Sequence, residues 1–229
     1  MSKLVWDAAG QREYEMGVSK GVLYVMPGTG ETAASGSSYK AGVAWNGLTG
    51  VTNSPEGAEP TDLWADNIKY ATLRSAETFG GTIEADTYPE EFAACDGSAA
   101  IIDGVYIGQQ TRIPFGFCYR TEIGSDTISD ASGDEAYKLH IIYNCTASPS
   151  EKAYETINDS PDAITLSWEI TTTPVPVTDH KPTSTIIIDT TKLDTAGKTK
   201  LATLEAQLYG GDNSDPELPS PDDVIDIFD

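Results

Sequence analysis

Short β-prone runs separated by turn residues constrain the fold of this chain more than any other feature. Some of the runs alternate: in YKLHIIYN, Tyr137, Leu139 and Ile141 fall on one side, and the polar Lys138 and His140 fall on the other. This pattern is typical of a half-buried strand. Many such runs between turn signals predict a mainly β protein of the sandwich or barrel class. The predicted strands are residues 21–26, 42–52, 67–74, 81–86, 104–109, 114–120, 137–144, 163–171 and 184–189.

Helical signals are few. The best covers residues 195–209, where three leucines share one face and a Gly-Gly pair follows. Residues 220–228 (SPDDVIDIF) combine a serine cap, a proline at the first position and two early aspartates. Weaker patterns predict short helices over residues 89–95 (PEEFAAC) and 150–157 (SEKAYETI).

The chain of 229 residues is long enough for one domain with extensions. We expect an N-terminal arm at residues 1–20, a β domain at 21–210, and a linker with a short helix or arm at 211–229. Residues 53–62 (NSPEGAEPTD) contain too much proline and glycine for a strand interior, so they predict a stiff loop.

The charge balance is strongly acidic. Asp and Glu number 36 against 14 Lys and Arg, which gives a formal net charge of −22. Direct binding to nucleic acid needs a basic surface and is disfavoured. Either the charge simply keeps the protein soluble, or it provides a surface to which a passing polyanion does not adhere.

Catalytic and metal-binding patterns are sparse. The two histidines, His140 and His180, stand near no cysteine at a metal-ligand spacing, and we expect His140 to be an ordinary strand residue. The glycine run PGTGETAASG lacks the order of a phosphate-binding loop. We therefore predict a protein that is not an enzyme and uses no cofactor.

One acidic cluster could in principle hold a hard cation. It lies within residues 125–135, but its carboxylates depart from the spacing of a calcium-binding loop, so a solvated loop is favoured. The cluster comprises Asp126, Asp130, Asp134 and Glu135.

Targeting signals and cysteines favour an internal compartment. The opening residues show no apolar run after a basic start, and no stretch has the ~18 apolar residues of a membrane span. Three cysteines cannot all pair with one another, so reduced thiols are expected.

Long segments of the chain resemble the major tail proteins of long-tailed, siphovirus-like bacteriophages and related prophages. The resemblance runs in register over nearly the whole sequence, including GVAWNGLTGVTNSPEGAEPTDLWADNIKY and TIEADTYPEEFAACDGS. The segments are residues 6–24, 42–70, 82–98, 104–126, 137–175 and 181–189.

The resemblance implies a β-sandwich or half-barrel of the tail-tube type with one flanking helix and extended loops. Six copies would form a ring, and stacked rings would form the tail tube, through which genome DNA passes during ejection without specific binding. The implied partners are other copies of the chain, the tape-measure protein, and the tail terminator and distal tail or baseplate proteins. The implied location is the tail of the virion, assembled in the cytoplasm of the host bacterium, with no membrane partner.

Three segments are candidate contacts between subunits. The first is the proline-stiffened loop at 53–62, whose alternative role is a hairpin connection. The second is the N-terminal arm, whose aromatic residues could act as anchors or lie on a frayed end. The third is the C-terminal helix, which could dock on a neighbour or pack on its own subunit. The candidate residues are Trp6, Tyr14, Pro55, Glu56, Gly57, Pro60, Asp62, Val224, Ile225 and Phe228.

Other functions remain as alternatives. A tail terminator or a baseplate hub could use a related fold, and the number of copies per particle would distinguish them from a tube protein. A secreted carbohydrate-binding adhesin would require a signal peptide and paired cysteines. A hydrolase is disfavoured because no catalytic triad order is present.

Overall fold

The structure is a computed structural model that describes residues 4, 6, 8, 12–28, 30–34, 37–57, 59–75, 77–126, 136–154, 156, 163–212 and 214–229. Strands account for 45% of it and helices for 16%, so the predicted mainly β class is confirmed. No helix among these residues is both long and apolar enough to cross a bilayer.

One eight-stranded antiparallel sheet organises the molecule. Its order is β2-β1-β11-β12-β13-β8-β3, and β14 pairs with β12 beside this path. Three two-stranded sheets pair β4 with β7, β5 with β6 and β9 with β10. The strands are β1 (Glu13–Val25), β2 (Val43–Trp45), β3 (Leu48–Asn53), β4 (Glu56–Gly57), β5 (Pro60–Ala65), β6 (Ile68–Arg74), β7 (Glu77–Thr78), β8 (Gly80–Ala85), β9 (Ala99–Ile102), β10 (Val105–Ile107), β11 (Phe115–Ser125), β12 (Tyr137–Ala147), β13 (Leu166–Thr172) and β14 (Thr185–Asp189).

The large sheet curls until its two ends meet. Trp45 on β2 and Trp168 on β13 are four strand positions apart, yet their ring centroids are 5.7 Å apart. Leu48 at the start of β3 lies directly over Gly21 of β1, where a side chain on Gly21 would come within 2.2 Å of Leu48 Cδ1. The sheet is therefore strongly curled, with its two ends in contact.

Aromatic rings fill the space inside the curl. The rings of Trp45, Phe92 and Trp168 meet with centroids 4.6 to 5.7 Å apart, and all three are buried. Phe92 comes from the 3-10 helix Glu90–Ala94, which places it against the sheet interior. We call this set the inner cluster; it also includes Leu23, Ile83, Phe115, Phe117, Ile142 and Ile170.

Two α-helices cover the outer face of the sheet. They are α1 (Thr195–Tyr209) and α2 (Pro221–Phe228), which contact each other, and both match the predicted helices. Leu201, Leu204 and Leu208 of α1 are buried, as their spacing predicts. With strand residues they form the outer cluster, which also includes Tyr24, Tyr39, Leu139, Ile141, Tyr143, Leu218 and Val224.

A buried charged group fastens α1 to the sheet. The guanidinium of Arg120 on β11 bonds the Glu205 carboxylate, and its Nε donates to Tyr209 Oη at 3.1 Å. The same group lies 4.1 Å from the centroid of the Tyr137 ring, and Tyr137 Oη donates to Glu205 at 2.6 Å. Because Arg120 also bonds Tyr209 and Glu205 also accepts from Tyr137, both charged groups have further hydrogen-bond partners despite their burial.

The half-buried pattern predicted for YKLHIIYN is wrong. Tyr137, Leu139 and Ile141 do share the outer face, but His140 on the opposite face is also buried. Its ring stacks on Tyr119 with centroids 4.6 Å apart, and burial lowers its pKa against the opposing effect of Glu15. His140 is a strand residue, as expected, in a strand covered on both faces.

Other boundaries differ from the sequence predictions. No described residue of 150–157 is helical, because Ser150 Oγ donates to Ser148 O and Lys152 Nζ is tied to Asp96 at 2.6 Å. The short helix predicted at 89–95 is a 3-10 helix preceded by Pro89. Strand β1 begins at Glu13, so residues 13–20 of the expected arm belong to the main sheet.

We predict that Trp168→Ala lowers the free energy of unfolding by about 3–5 kcal/mol, because it empties the centre of the inner cluster. The matched control is Trp64→Ala, which removes an indole that is 65% exposed and should change stability by less than about 0.5 kcal/mol. Urea denaturation followed by far-ultraviolet circular dichroism measures both, and equal losses would contradict this assignment of the core.

Candidate functional site

A long β-hairpin projects from the sheet. Strands β3 and β8 continue beyond the sheet as the β4–β7 and β5–β6 pairs, and Asp66 and Asn67 form the turn at the end. Both turn residues have positive φ, +51° and +63°, as a two-residue type I′ hairpin requires. We call residues 54–79 the arm. At ~3.3 Å per residue, the stretch from Ser54 to Ala65 can reach up to roughly 40 Å.

The arm carries an unusual amount of exposed apolar surface. Its described residues 54–57, 59–75 and 77–79 are all exposed except Ala71 and Phe79, which are half-buried. Near the tip, Trp64, Ile68 and Tyr70 are 63 to 70% exposed. Exposed apolar side chains grouped in this way mark a surface that another molecule covers.

The arm overturns the prediction that residues 53–62 form a loop. Most of the described residues in this range belong to β3, β4 and β5 on the ascending side of a hairpin. The prolines are placed where strands tolerate them: Pro55 lies between β3 and β4, and Pro60 is the first residue of β5. Glu56 and Gly57 pair with Thr78 and Glu77. All these candidate residues are exposed.

Asp62 has a structural task within the arm. Its Oδ1 accepts a hydrogen bond from Thr72 Oγ1 at 3.0 Å and lies 2.7 Å from Lys69 Nζ. These contacts join β5 to β6. The exposed pair contributes little energy, but it fixes which residues face each other across the hairpin.

The C-terminal helix packs on its own subunit and forms one wall of an apolar groove. Val224 is buried in the outer cluster, whereas Ile225 and Phe228 remain partly exposed. The groove has a volume of about 400 Å³ and lies between α2 and β14. Its apolar lining consists of Val177, Ile186, Ile188, Val224, Ile225 and Phe228.

Charged side chains also line the groove. His180 and Lys181 are exposed on the segment that precedes β14, and Asp229 lies beside Phe228. No ion pair of Lys181 is found among the described residues. The groove therefore offers an apolar floor with the positive charge of Lys181 beside it, in a chain whose net charge is −22.

The groove wall is held in place by hydrogen bonds at both ends of α2. Ser220 and Asp223 form a reciprocal capping box at its start. Asp222 accepts from the backbone N–H and the hydroxyl of Thr178, each at 2.9 Å, and these bonds lower the pKa of Asp222. At the other end, Lys200 Nζ donates to Phe228 O at 2.8 Å.

A second apolar hairpin forms an exposed surface that was not predicted from the sequence. Strands β9 and β10 join through Asp103-Gly104, and Ile101, Ile102 and Val105 are 51 to 67% exposed. Tyr106 Oη donates to Glu90 Oε1 at 2.9 Å, which raises the pKa of Tyr106. The available signal was the Asp-Gly pair between two apolar runs.

The N-terminal candidates fall in different surroundings. Trp6 is 76% exposed. Tyr14 lies in β1 opposite Gly124, and its ring covers that glycine closely enough to leave no room for a side chain there. Tyr14 is still 56% exposed, so only part of its surface is used within the subunit.

The described residues contain no group of three or more His, Cys, Asp or Glu side chains arranged to hold a metal ion. Most of the acidic cluster at 125–135 lies outside the described residues. Cys95, Cys118 and Cys145 are buried free thiols, and burial raises the pKa of each. The structure thus brings the candidate residues other than Trp6 and Tyr14 into two surfaces, the arm and the groove.

No known family model matches this chain, and no curated protein sequence matches it either.

We predict that Ser220→Ala loosens α2 and lowers stability by about 1 kcal/mol, because the capping box loses its acceptor for the helix N–H groups. Hydrogen exchange of the α2 amides should accelerate selectively. Thr203→Ala, on the exposed face of α1, is the control. Unchanged exchange in α2 would show that the cap does not hold the groove wall.

Proposed function

We propose that this chain is the structural subunit of a viral tail tube and acts by assembling with copies of itself into stacked rings, six copies to a ring. The tube serves as the conduit for genome DNA during ejection. The proposal starts from the resemblance to major tail proteins of long-tailed bacteriophages, which extends in register over most of the sequence.

The observation that carries the proposal is the arm. A hairpin that exposes Trp64, Ile68, Tyr70 and Leu73 to solvent leaves apolar surface in water of the kind that marks a contact with another molecule. Covering it with another copy removes that cost. A hairpin of this length can also bridge from one ring to the next.

Unpaired strand edges favour lateral association as well. Among the described residues, β14 pairs only with β12; on its second edge Thr185 bonds the hydroxyl of Thr183, and no described strand covers the rest. Free edges promote uncontrolled pairing, and ring closure is one way of removing them. The curled sheet therefore suits a subunit that completes its hydrogen bonding by assembly.

The acidic charge fits a conduit for DNA. A net charge of −22 per copy gives an assembled tube a strongly negative surface, which repels a polyanion and lets it slide. The same charge makes copies repel one another, so the apolar contacts must overcome electrostatic repulsion during assembly. In this proposal the tape-measure protein occupies the channel first, and the terminator and distal tail or baseplate proteins contact the ends.

We predict that the purified chain forms rings and tubes in negative-stain electron microscopy and that salt promotes them. Raising NaCl from about 0.1 M to about 1 M shortens the screening length from about 10 Å to about 3 Å and weakens repulsion between copies. Sedimentation should then show more protein in large assemblies.

The control replaces residues 56–77 with a short turn and keeps the β3–β8 pair. This variant should retain the circular dichroism and melting of the domain and should form no tubes. A monomer at high concentration under all salt conditions, even with the tape-measure protein, would count against the proposal. Single rings that never stack would favour a terminator or hub.

A further inference from the structure

The arm tip and the groove are complementary surfaces on different parts of the molecule. We propose that the arm tip of one copy seats in the groove between α2 and β14 of the next copy. This inference rests on the proposed tube function and identifies which surface of the neighbour receives the arm. A contact between two unlike surfaces repeats from copy to copy and so generates a ring or a filament.

Size and polarity support the match. The tip presents Trp64 and Ile68, which are 65% and 63% exposed, on either side of the Asp66–Asn67 turn. The groove volume of about 400 Å³ lies within the range of pockets that hold small organic ligands, so it can accept an indole ring. Burying a large aromatic side chain in a fitted apolar pocket is the usual core of a strong interface.

Charge also supports the match between the arm tip and the groove. The tip carries Asp66, and the groove carries His180 and Lys181. Two copies with a net charge of −22 repel each other, so the positive charge of Lys181 beside an apolar floor is a favourable place for an acidic tip. Asp229 also lines the groove, which favours a pose with Asp66 beside Lys181.

Both partners are organised before they meet. The capping box of Ser220 and Asp223 and the Asp222–Thr178 bonds fix α2, while β14 is held by five residue pairs to β12. The arm is stiffened by its strand pairing and by the Asp62 contacts. Little conformational freedom is lost on docking, so more of the contact energy is retained.

Cysteine cross-linking tests the contact. The variant carries Ile68→Cys at the tip and Ile225→Cys in the groove, and its three native thiols are buried. Mild oxidation of assembled protein should give a ladder of disulfide-linked oligomers on a denaturing gel. The matched control pairs Ile68→Cys with Ile187→Cys, which is exposed on β14 outside the groove and should give at least about tenfold less ladder.

The other apolar hairpin is the competing receptor and has its own variant, Ile68→Cys with Ile102→Cys. If tubes form but the Ile102 or Ile187 variant cross-links as efficiently as the Ile225 variant, the docking site is overturned and the tube function remains intact. Absence of rings or tubes in the unmodified protein would overturn the proposed function and the docking site together.

A second test measures the protein concentration that each variant needs for assembly. Trp64→Ala should raise the concentration needed for assembly at least about tenfold, as expected when a buried aromatic anchor is lost. Asp66→Asn and Lys181→Gln should each weaken assembly, and the double variant should be little worse than either single one. Strictly additive losses would show that the two side chains do not meet.

Discussion

Strand β12 is the element on which the rest of the structure depends. It pairs with β11, β13 and β14, and its side chains enter both hydrophobic clusters: Leu139 and Ile141 the outer one, Ile142 and Cys145 the inner one. A strand buried on both faces cannot slip in register, because a shift by one residue exchanges the two clusters. The curl of the sheet and the position of the helices therefore both depend on this strand.

The outer layer depends on one buried charge. Arg120 is held by Glu205, Tyr137 and Tyr209, and these contacts join β11, β12 and α1 at one point. Removing either charge would leave the other without its charged partner, which costs more than the pair contributes. The polar contact therefore fixes the orientation of α1 on the sheet, and its leucines fix how closely it packs there.

Much of the fold could be predicted from local patterns, because turn residues and helix caps act over a few positions. The capped helix α2 and the leucine face of α1 were visible in this way. What the sequence could not reveal came from distant contacts. The burial of His140 depends on its cross-strand neighbour Tyr119, whose ring stacks on it, and the loss of a helix near Lys152 depends on Asp96, 56 positions away. The candidate residues of the arm and of α2 were identified, but the hairpin and the groove that unite them were not.

The interior of the curled sheet has a consequence for any passage that the assembled protein encloses. That interior is occupied by the rings of Trp45, Phe92 and Trp168, so the curl formed by the described residues is filled. In the proposed tube, the opening would lie between subunits and be bounded by their outward surfaces. Its bore would depend on the number and tilt of the subunits, and substitutions in the aromatic centre would alter stability without altering its width.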